Sequence, residues 1–209
     1  MIESVKSAVI RGKLKAIESI VQEALDEGAS PSEALESMTA AMDEIGARFQ
    51  KNEIYVPEML VAAKTMQRGV GVLKPLLGGD AIGKNGKFLI GTVAGDLHDI
   101  GKNLVAMMVE SAGFEVIDLG VDVPAEKFVE AVKADPDITV VGCSALLTTT
   151  MDSMRDTVKA LDEAGVRDRI KIMIGGAPIT QAFCDEIGAD AYTSDAASAA
   201  EKAKELAAK

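Results

Sequence analysis

The sequence has little of several things. Its 209 residues include no tryptophan, two cysteines and one histidine, and aromatic side chains make up 3%. Positive charge is in deficit, with 22 Lys and Arg against 33 Asp and Glu and a net charge of −11. A phosphate-backbone binder needs a positive surface, so nucleic-acid binding is disfavoured, as is docking on an anionic membrane. Cys143 and Cys184 are far apart and make neither a disulfide framework nor a metal cluster, so the cytoplasm is the expected location. Cys143 ends an apolar run, where packing rather than reactivity is expected. No stretch approaches the roughly 18 apolar residues of a membrane span. The opening MIESVKSAVI carries an early acid and no basic flank, so no secretory signal is expected.

What is present suits a globular chain with a sizeable core: 48% hydrophobic and 26% charged residues. The first half reads as helices. A short one is expected over residues 2–9, and Leu14, Ile17, Val21 and Leu25 then recur three and four apart, the apolar face of a second. Ser30-Pro31-Ser32-Glu33 has the form of a capping box with proline in the first turn. Leu35, Met38, Met42, Ile45 and Phe49 continue that helix inward. A fourth begins near Pro57, with Met59, Ala63, Met66, Val70 and Leu73 as its stripe, and ends by Pro75 or Gly78. The expectation is a four-helix bundle over 1–77. The Gly-rich run 78–86, GGDAIGKNG, reads as a linker.

From residue 87 to 209 the rhythm changes to short apolar runs alternating with helical stretches. Strands are expected at Phe88–Val93, Glu115–Leu119, Thr139–Gly142, Ile170–Ile174 and Ala191–Thr193. Helices are expected over 100–112, from Pro124, over 151–164, over 179–187, and at the end. Five βα units of this length imply a parallel sheet covered on both faces. Ligands of such sheets bind beyond the carboxyl ends of the strands, where the strand order switches.

Those ends carry distinctive residues. After the first strand comes Gly95-Asp96-Leu97-His98-Asp99-Ile100-Gly101, with the chain's sole histidine. A carboxylate two residues from an imidazole can hold one ring nitrogen and leave the other to a metal. A single histidine cannot build a zinc site, but it can supply one axial ligand to a metal held by a macrocycle. Taken alone, an Asp-x-His pair is equally a capped turn. After the third strand come Ser144, Ala145, Leu146, Leu147 and three threonines ending at Thr150, hydroxyls that could hold polar ligand groups or cap the next helix. After the fourth come Gly175 and Gly176, a plain tight turn or a place for a ligand to approach the backbone. Neither GxGxxG nor GxxxxGK[ST] is present, which leaves a dinucleotide or P-loop site without support.

Together, Asp96-x-His98-x-x-Gly101, Ser144-x-Leu146 and Gly175-Gly176, separated by residues 102–143 and 147–174, resemble the cobalamin-binding signature. That signature belongs to methionine synthase and to the small corrinoid proteins of methylamine, methanol, betaine and aryl methyl ether methyltransferase systems. The resemblance covers nearly the whole chain, since the helical half is similar to the family's cap and Glu53–Leu60, EIYVPEML, is typical of it. It implies a helical bundle cap followed by a Rossmann-like, flavodoxin-like α/β domain with a five-stranded parallel sheet. It also implies a cobalamin or related corrinoid cofactor that cycles between Co(I) and methylated Co(III). By resemblance, His98 is the lower axial ligand of cobalt, in place of the cofactor's own base, and Asp96 accepts its other N–H. Thr150 stands where methionine synthase has a relay serine. Ser144 bonds near the buried base and Leu146 lines the channel of the cofactor's tail. Gly101, Gly175 and Gly176 make room for that tail. The cap covers the methyl-bearing face, with the linker as its hinge, and its Met38, Met42, Met59 and Met66 are mostly core.

The implied role is a methyl carrier of one-carbon metabolism, in methanogenesis or acetogenesis, rather than a complete enzyme. No catalytic residue is assigned, and the length leaves no barrel for a methyl donor. The implied partners are a substrate:corrinoid methyltransferase, a second methyltransferase acting on tetrahydrofolate or coenzyme M, and a reductive activase. Two other cobalamin readings differ in visible ways. The small subunit of an adenosylcobalamin isomerase shares the histidine motif but lacks this cap. A cobalamin sensor carries an output module and often a cap tryptophan. A cofactor-free α/β protein would bind no corrinoid at all.

Overall fold

The helical half is set by its caps and stripes. Ser30 Oγ accepts the Glu33 amide at 3.2 Å, and the Ser30 amide donates to the Glu33 carboxylate at 2.9 Å, with Pro31 in the first turn. This capping box satisfies free amides at both positions and starts α3, Pro31–Gln50. Half of that device starts α4, Val56–Leu73, where the Glu58 carboxylate reaches back to the Tyr55 amide at 2.9 Å but the Tyr55 side chain makes no cap. Before them lie α1, Ile2–Ile10, and α2, Ile17–Asp26. The computed structural model describes residues 2–77 and 84–208. Residues 78–83 of the expected linker lie outside the described residues.

Ile17, Val21, Met38, Met42, Ile45, Met59, Ala63, Met66 and Leu73 are buried, as the periodicity predicts, and Val5 and Val9 of α1 are buried as well. Leu14, Leu25, Leu35, Phe49 and Val70 of the expected stripes are only partly buried. Leu14 belongs to the turn before α2, and Ala24 rather than Leu25 completes the buried face of that helix. The expected stripe began one turn too early because Gly12, at φ 61°, ends α1 in a tight turn that carries the chain past Leu14.

The second half forms a parallel sheet in the order β2-β1-β3-β4-β5. The strands are β1, Lys87–Thr92; β2, Glu115–Asp118; β3, Ile138–Ser144; β4, Lys171–Gly175; and β5, Ala191–Tyr192. Between them run α5, Ile100–Ser111; α6, Ala125–Ala134; α7, Met151–Glu163; and α8, Gln181–Ile187, with α9, Ala196–Ala207, closing the chain. Leu89, Val141, Ile172 and Ile174 on one sheet face pack with Phe128, Val132, Met154, Val158, Leu161 and Phe183 of α6, α7 and α8. On the other face Phe88 meets Phe114 edge-on at 6.1 Å between ring centroids. Helices on both faces explain strands that are apolar almost throughout. The sheet is thus the five-stranded parallel sheet expected.

Strand β3 runs two residues beyond its expected end. Cys143 pairs with Gly91 and Ile174, and Ser144 with Thr92 and Gly175, so the ladder continues across three strands. Both cysteines are buried, and desolvation pushes the Cys143 thiol up to about 12. Helix α8 begins at Gln181 because Thr180 Oγ1 caps the Phe183 amide.

The chain divides into two compact units, one running to Lys84 and including Ser111–Gly113, the other made of Asn85–Glu110 and the chain from Phe114 onward. No helix among the described residues is long and apolar enough to cross a membrane.

Candidate functional site

The first crossover from β1 leads to β2 on one side, and the next carries the chain across to β3 on the other. The order therefore switches between β1 and β3, and in such sheets ligands bind beyond the carboxyl ends of the strands at that point. The loop after β1 carries Asp96 and His98, and the loop after β3 carries Leu146, Leu147 and Thr150.

Asp96 joins the two loops. It is fully buried, and both of its oxygens are occupied. Oδ1 accepts the His98 amide at 3.0 Å and lies 2.7 Å from His98 Nδ1. Oδ2 accepts the Leu146 amide at 2.7 Å, the Leu147 amide at 3.3 Å and the Thr150 hydroxyl at 2.9 Å. Burial by itself raises this carboxyl. The amides of Leu146 and His98, the His98 ring and the Thr150 hydroxyl outweigh it and hold Asp96 well below the usual carboxylate range.

An ionised carboxylate only accepts, so the facing Nδ1 of His98 carries the hydrogen. Nε2 is then the ring's lone-pair donor. The His98 side chain is 50% exposed, so that donor is not sealed in the core. Thr92, buried at the end of β1, donates its hydroxyl to the His98 carbonyl at 2.9 Å and holds the backbone as Asp96 holds the ring.

The segments after β1 and β3 that meet at Asp96 leave apolar side chains exposed: Leu97 at 72%, Ile100 at 77%, Leu146 at 43% and Leu147 at 40%. Gly101, in the first turn of α5, has no heavy atom within 4 Å of where a Cβ would stand. Among the described residues no group of three or more His, Cys, Asp or Glu could hold a metal ion. A metal at His98 must therefore bring most of its ligands with it. A macrocycle with a broad apolar face fits those conditions, and the residues present fit a corrinoid.

The other expected site residues divide. Thr150 does not cap α7; it forms part of a single 3-10 turn, Thr148–Thr150, and turns its hydroxyl to Asp96. Leu146 contributes its amide to Asp96 as well as an exposed side chain. The Ser144 carbonyl accepts the Val93 amide at 3.0 Å, which ties the ends of β1 and β3 together. Gly175 ends β4, where a Cβ would stand 3.3 Å from the Thr193 carbonyl. Gly176 is glycine for an internal reason, because a Cβ there would lie 1.8 Å from the Ala145 carbonyl oxygen.

Sequence reasoning missed Thr92 and Lys102. Thr92 is a hydroxyl at the end of an apolar strand immediately before the motif, which was the available signal. Lys102 is buried against Asp118, at the end of β2, and donates to Asn103 Oδ1 at 2.7 Å. Asn103 in turn donates to Asp99 at 3.1 Å. Nothing local in the sequence marks a lysine beside an exposed glycine as buried.

Acid should weaken this node with a definite sign. The folded value of Asp96 lies below the ordinary 3.8, so its stabilisation is complete above that pH and is lost as pH falls toward the folded value. The urea midpoint of the protein without corrinoid is expected to fall below pH ~4, and to fall less steeply in Asp96→Asn. Parallel acid limbs in the two proteins would refute the assignment.

Fold and site define a cobalamin-binding protein, and the chain belongs to the B12-binding family. Two models described as B12 binding domain match it, one over residues 86–203 and the other over residues 1–74. It is similar to a dimethylamine corrinoid protein of Methanosarcina acetivorans, with 45% identity over 99% of this chain and 97% of the relative. Among solved structures it is similar to a cobalamin-binding protein of Desulfitobacterium hafniense. That match has 34% identity and a TM-score of 0.83, covering 99% of this chain and 98% of the other. It is also similar to the methanol:cobalamin methyltransferase complex of Methanosarcina barkeri, with 28% identity and a TM-score of 0.87 over 99% of this chain and 79% of the matched chain.

Proposed function

We propose that this chain is a corrinoid protein that carries a methyl group between two methyltransferases, and that His98 is the lower ligand of its cobalt. One observation carries the assignment. The sole histidine has Nδ1 held by an ionised, five-donor Asp96, and half of its side chain is exposed at the strand switch point. The corrinoid, when bound, supplies a metal centre that can accept and release a methyl group.

The chain's residues position and tune that centre. Asp96 fixes the ring and its tautomer and strengthens Nε2 as a donor. Thr150 and the Leu146 and Leu147 amides keep Asp96 ionised by solvating it inside the protein. Thr92 holds the His98 backbone. Leu97, Ile100, Leu146 and Leu147 offer apolar surface to the ring system. Gly101 leaves space at the start of α5, and Ser144 and Gly175 stand at the strand ends where the cofactor's tail is assigned. The same reading takes residues 1–77 as a helical cap and 87–209 as the cobalamin-binding domain.

The first partner is a substrate-specific methyltransferase, in keeping with the solved methanol complex. The donor we assign is a methylated amine, with dimethylamine first, because that relative shares 45% identity against 28% for the methanol complex. The second partner acts on tetrahydrofolate or coenzyme M, and a reductive activase restores protein lost to oxidation.

The test is anaerobic incubation with hydroxocobalamin, desalting, and a UV–visible spectrum with cobalt and protein quantified. One cobalt per chain with an imidazole-ligated corrin spectrum supports the carrier. Folded protein that retains no cobalt overturns it.

A further inference from the structure

The loop after β2 holds a residue that neither the motif nor the proposed ligand set includes. Asp122 has φ 53°, one of two non-glycine residues with positive φ among those described. That region disfavours side chains, although Asp and Asn tolerate it best. Glycine would remove the strain, so the side chain must do something glycine cannot. Asp122 Oδ1 accepts the Gly95 amide at 2.7 Å. Its own amide donates to the Asp96 carbonyl at 2.9 Å. One residue of the neighbouring loop thus grips the two residues that begin the histidine turn, one bond on each.

The grip has a rigid base. The Thr92 amide donates to the Gly120 carbonyl at 2.9 Å, and the Val123 amide to the Thr92 carbonyl at 2.9 Å. Val93 and Val123 form a parallel bridge. The β2 loop is therefore laced to the end of β1 on both sides of Asp122. Gly95, at φ 82°, has little conformational preference of its own. The Asp122 carboxylate holds the N–H of the Ala94–Gly95 peptide, next to the Asp96 amide that the Val93 carbonyl accepts at 3.2 Å, so its loss takes one restraint from the entry to the turn. Movement there would tilt the Asp96 carboxylate, and with it the ring it holds.

From this geometry we infer that Asp122 is a positioning residue for His98: its carboxylate fixes the Gly95–Asp96 turn and thereby aims the imidazole at the metal. The inference rests on the reading of His98 as cobalt ligand. It adds a carboxylate from β2's loop to a site otherwise drawn from the loops after β1 and β3.

The test loads wild type, Asp122→Gly, Asp122→Asn and His98→Ala with hydroxocobalamin. It reads the ratio of imidazole-ligated to unligated corrinoid by UV–visible spectrum, alongside the urea midpoint of each protein without corrinoid. Glycine accepts the positive φ, so Asp122→Gly keeps the fold and loses only the acceptor. Its ligated ratio is expected to fall roughly threefold or more, less than the 10–100-fold typical of a group bonded directly to a metal ligand. Asp122→Asn keeps an acceptor oxygen and should match wild type. An Asp122→Gly ratio equal to wild type overturns the inference whatever happens to the urea midpoint, as does a folded Asp122→Asn that falls as far as glycine. A His98→Ala spectrum identical to wild type fails at the ligand instead, and separates loss of the underlying reading from loss of this one.

Discussion

His98→Ala should fold, retain a corrin chromophore, and lack the imidazole-ligated spectrum completely. The spectral effect is all-or-none because no second histidine exists to replace the first. The structural effect is small because the side chain is half exposed. Asp96 loses the ring but keeps the His98, Leu146 and Leu147 amides and the Thr150 hydroxyl, so the node that joins the two loops survives. A stability change of about 1 kcal/mol or less is expected, in the range of exposed substitutions. Added imidazole should restore part of the ligated spectrum by occupying the vacated position. An unchanged spectrum in the variant would remove His98 from the metal.

Gly176→Ala should have the largest effect on the fold, and for a reason separate from any ligand. Its Cβ would lie 1.8 Å from the Ala145 carbonyl oxygen and 2.8 Å from the carbonyl carbon, at a backbone φ of 130°. The Ala145 carbonyl cannot yield freely, because the Ala145 amide is bonded to Gly175 O at 3.1 Å, and the Gly176 carbonyl is itself held by the Ile179 amide at 3.0 Å. Overpacking and strained φ each cost about 1–3 kcal/mol, so a loss of about 4 kcal/mol or failure to fold is expected without corrinoid present. Gly101→Ala is the contrast. With open space around it and a helical position, it should leave that stability unchanged or raise it by about 0.5 kcal/mol. Urea midpoints decide between them. A Gly176→Ala protein as stable as wild type would show that the loop after β4 can shift away from β3.

Much of the fold was legible because its signals are local. The Ser30–Glu33 box spans three residues, and the Met38, Met42 and Ile45 stripe follows from helical geometry alone. The change of rhythm after residue 87 marked the sheet for the same reason. Misplaced boundaries arose where a neighbouring element decides, as when β3 ran on to Ser144 because strands on both sides continue its ladder. The site was legible in part. Asp96 and His98 lie two residues apart, so their pairing could be expected from the sequence.

The rest depends on contacts that span long stretches of chain. The Leu146 amide and the Thr150 hydroxyl meet Asp96 across 50 and 54 residues, and only because β3 lies beside β1 in the sheet. Thr150 had two plausible uses, and the sheet order chose the carboxylate over the helix cap. Gly176 read either as a tight turn or as space for a ligand, and the Ala145 carbonyl placed against it supplies a reason for glycine internal to the fold. Asp122 was an unremarkable acid between two valines until β2 paired with β1 and set its carboxylate against the Gly95 amide. By itself the sequence determined two modules, helices and then alternating strands and helices, and the one imidazole available to a metal. Tertiary structure decided what holds that imidazole in place, because hydrogen bonds between separate loops form only after strand order has brought those loops together.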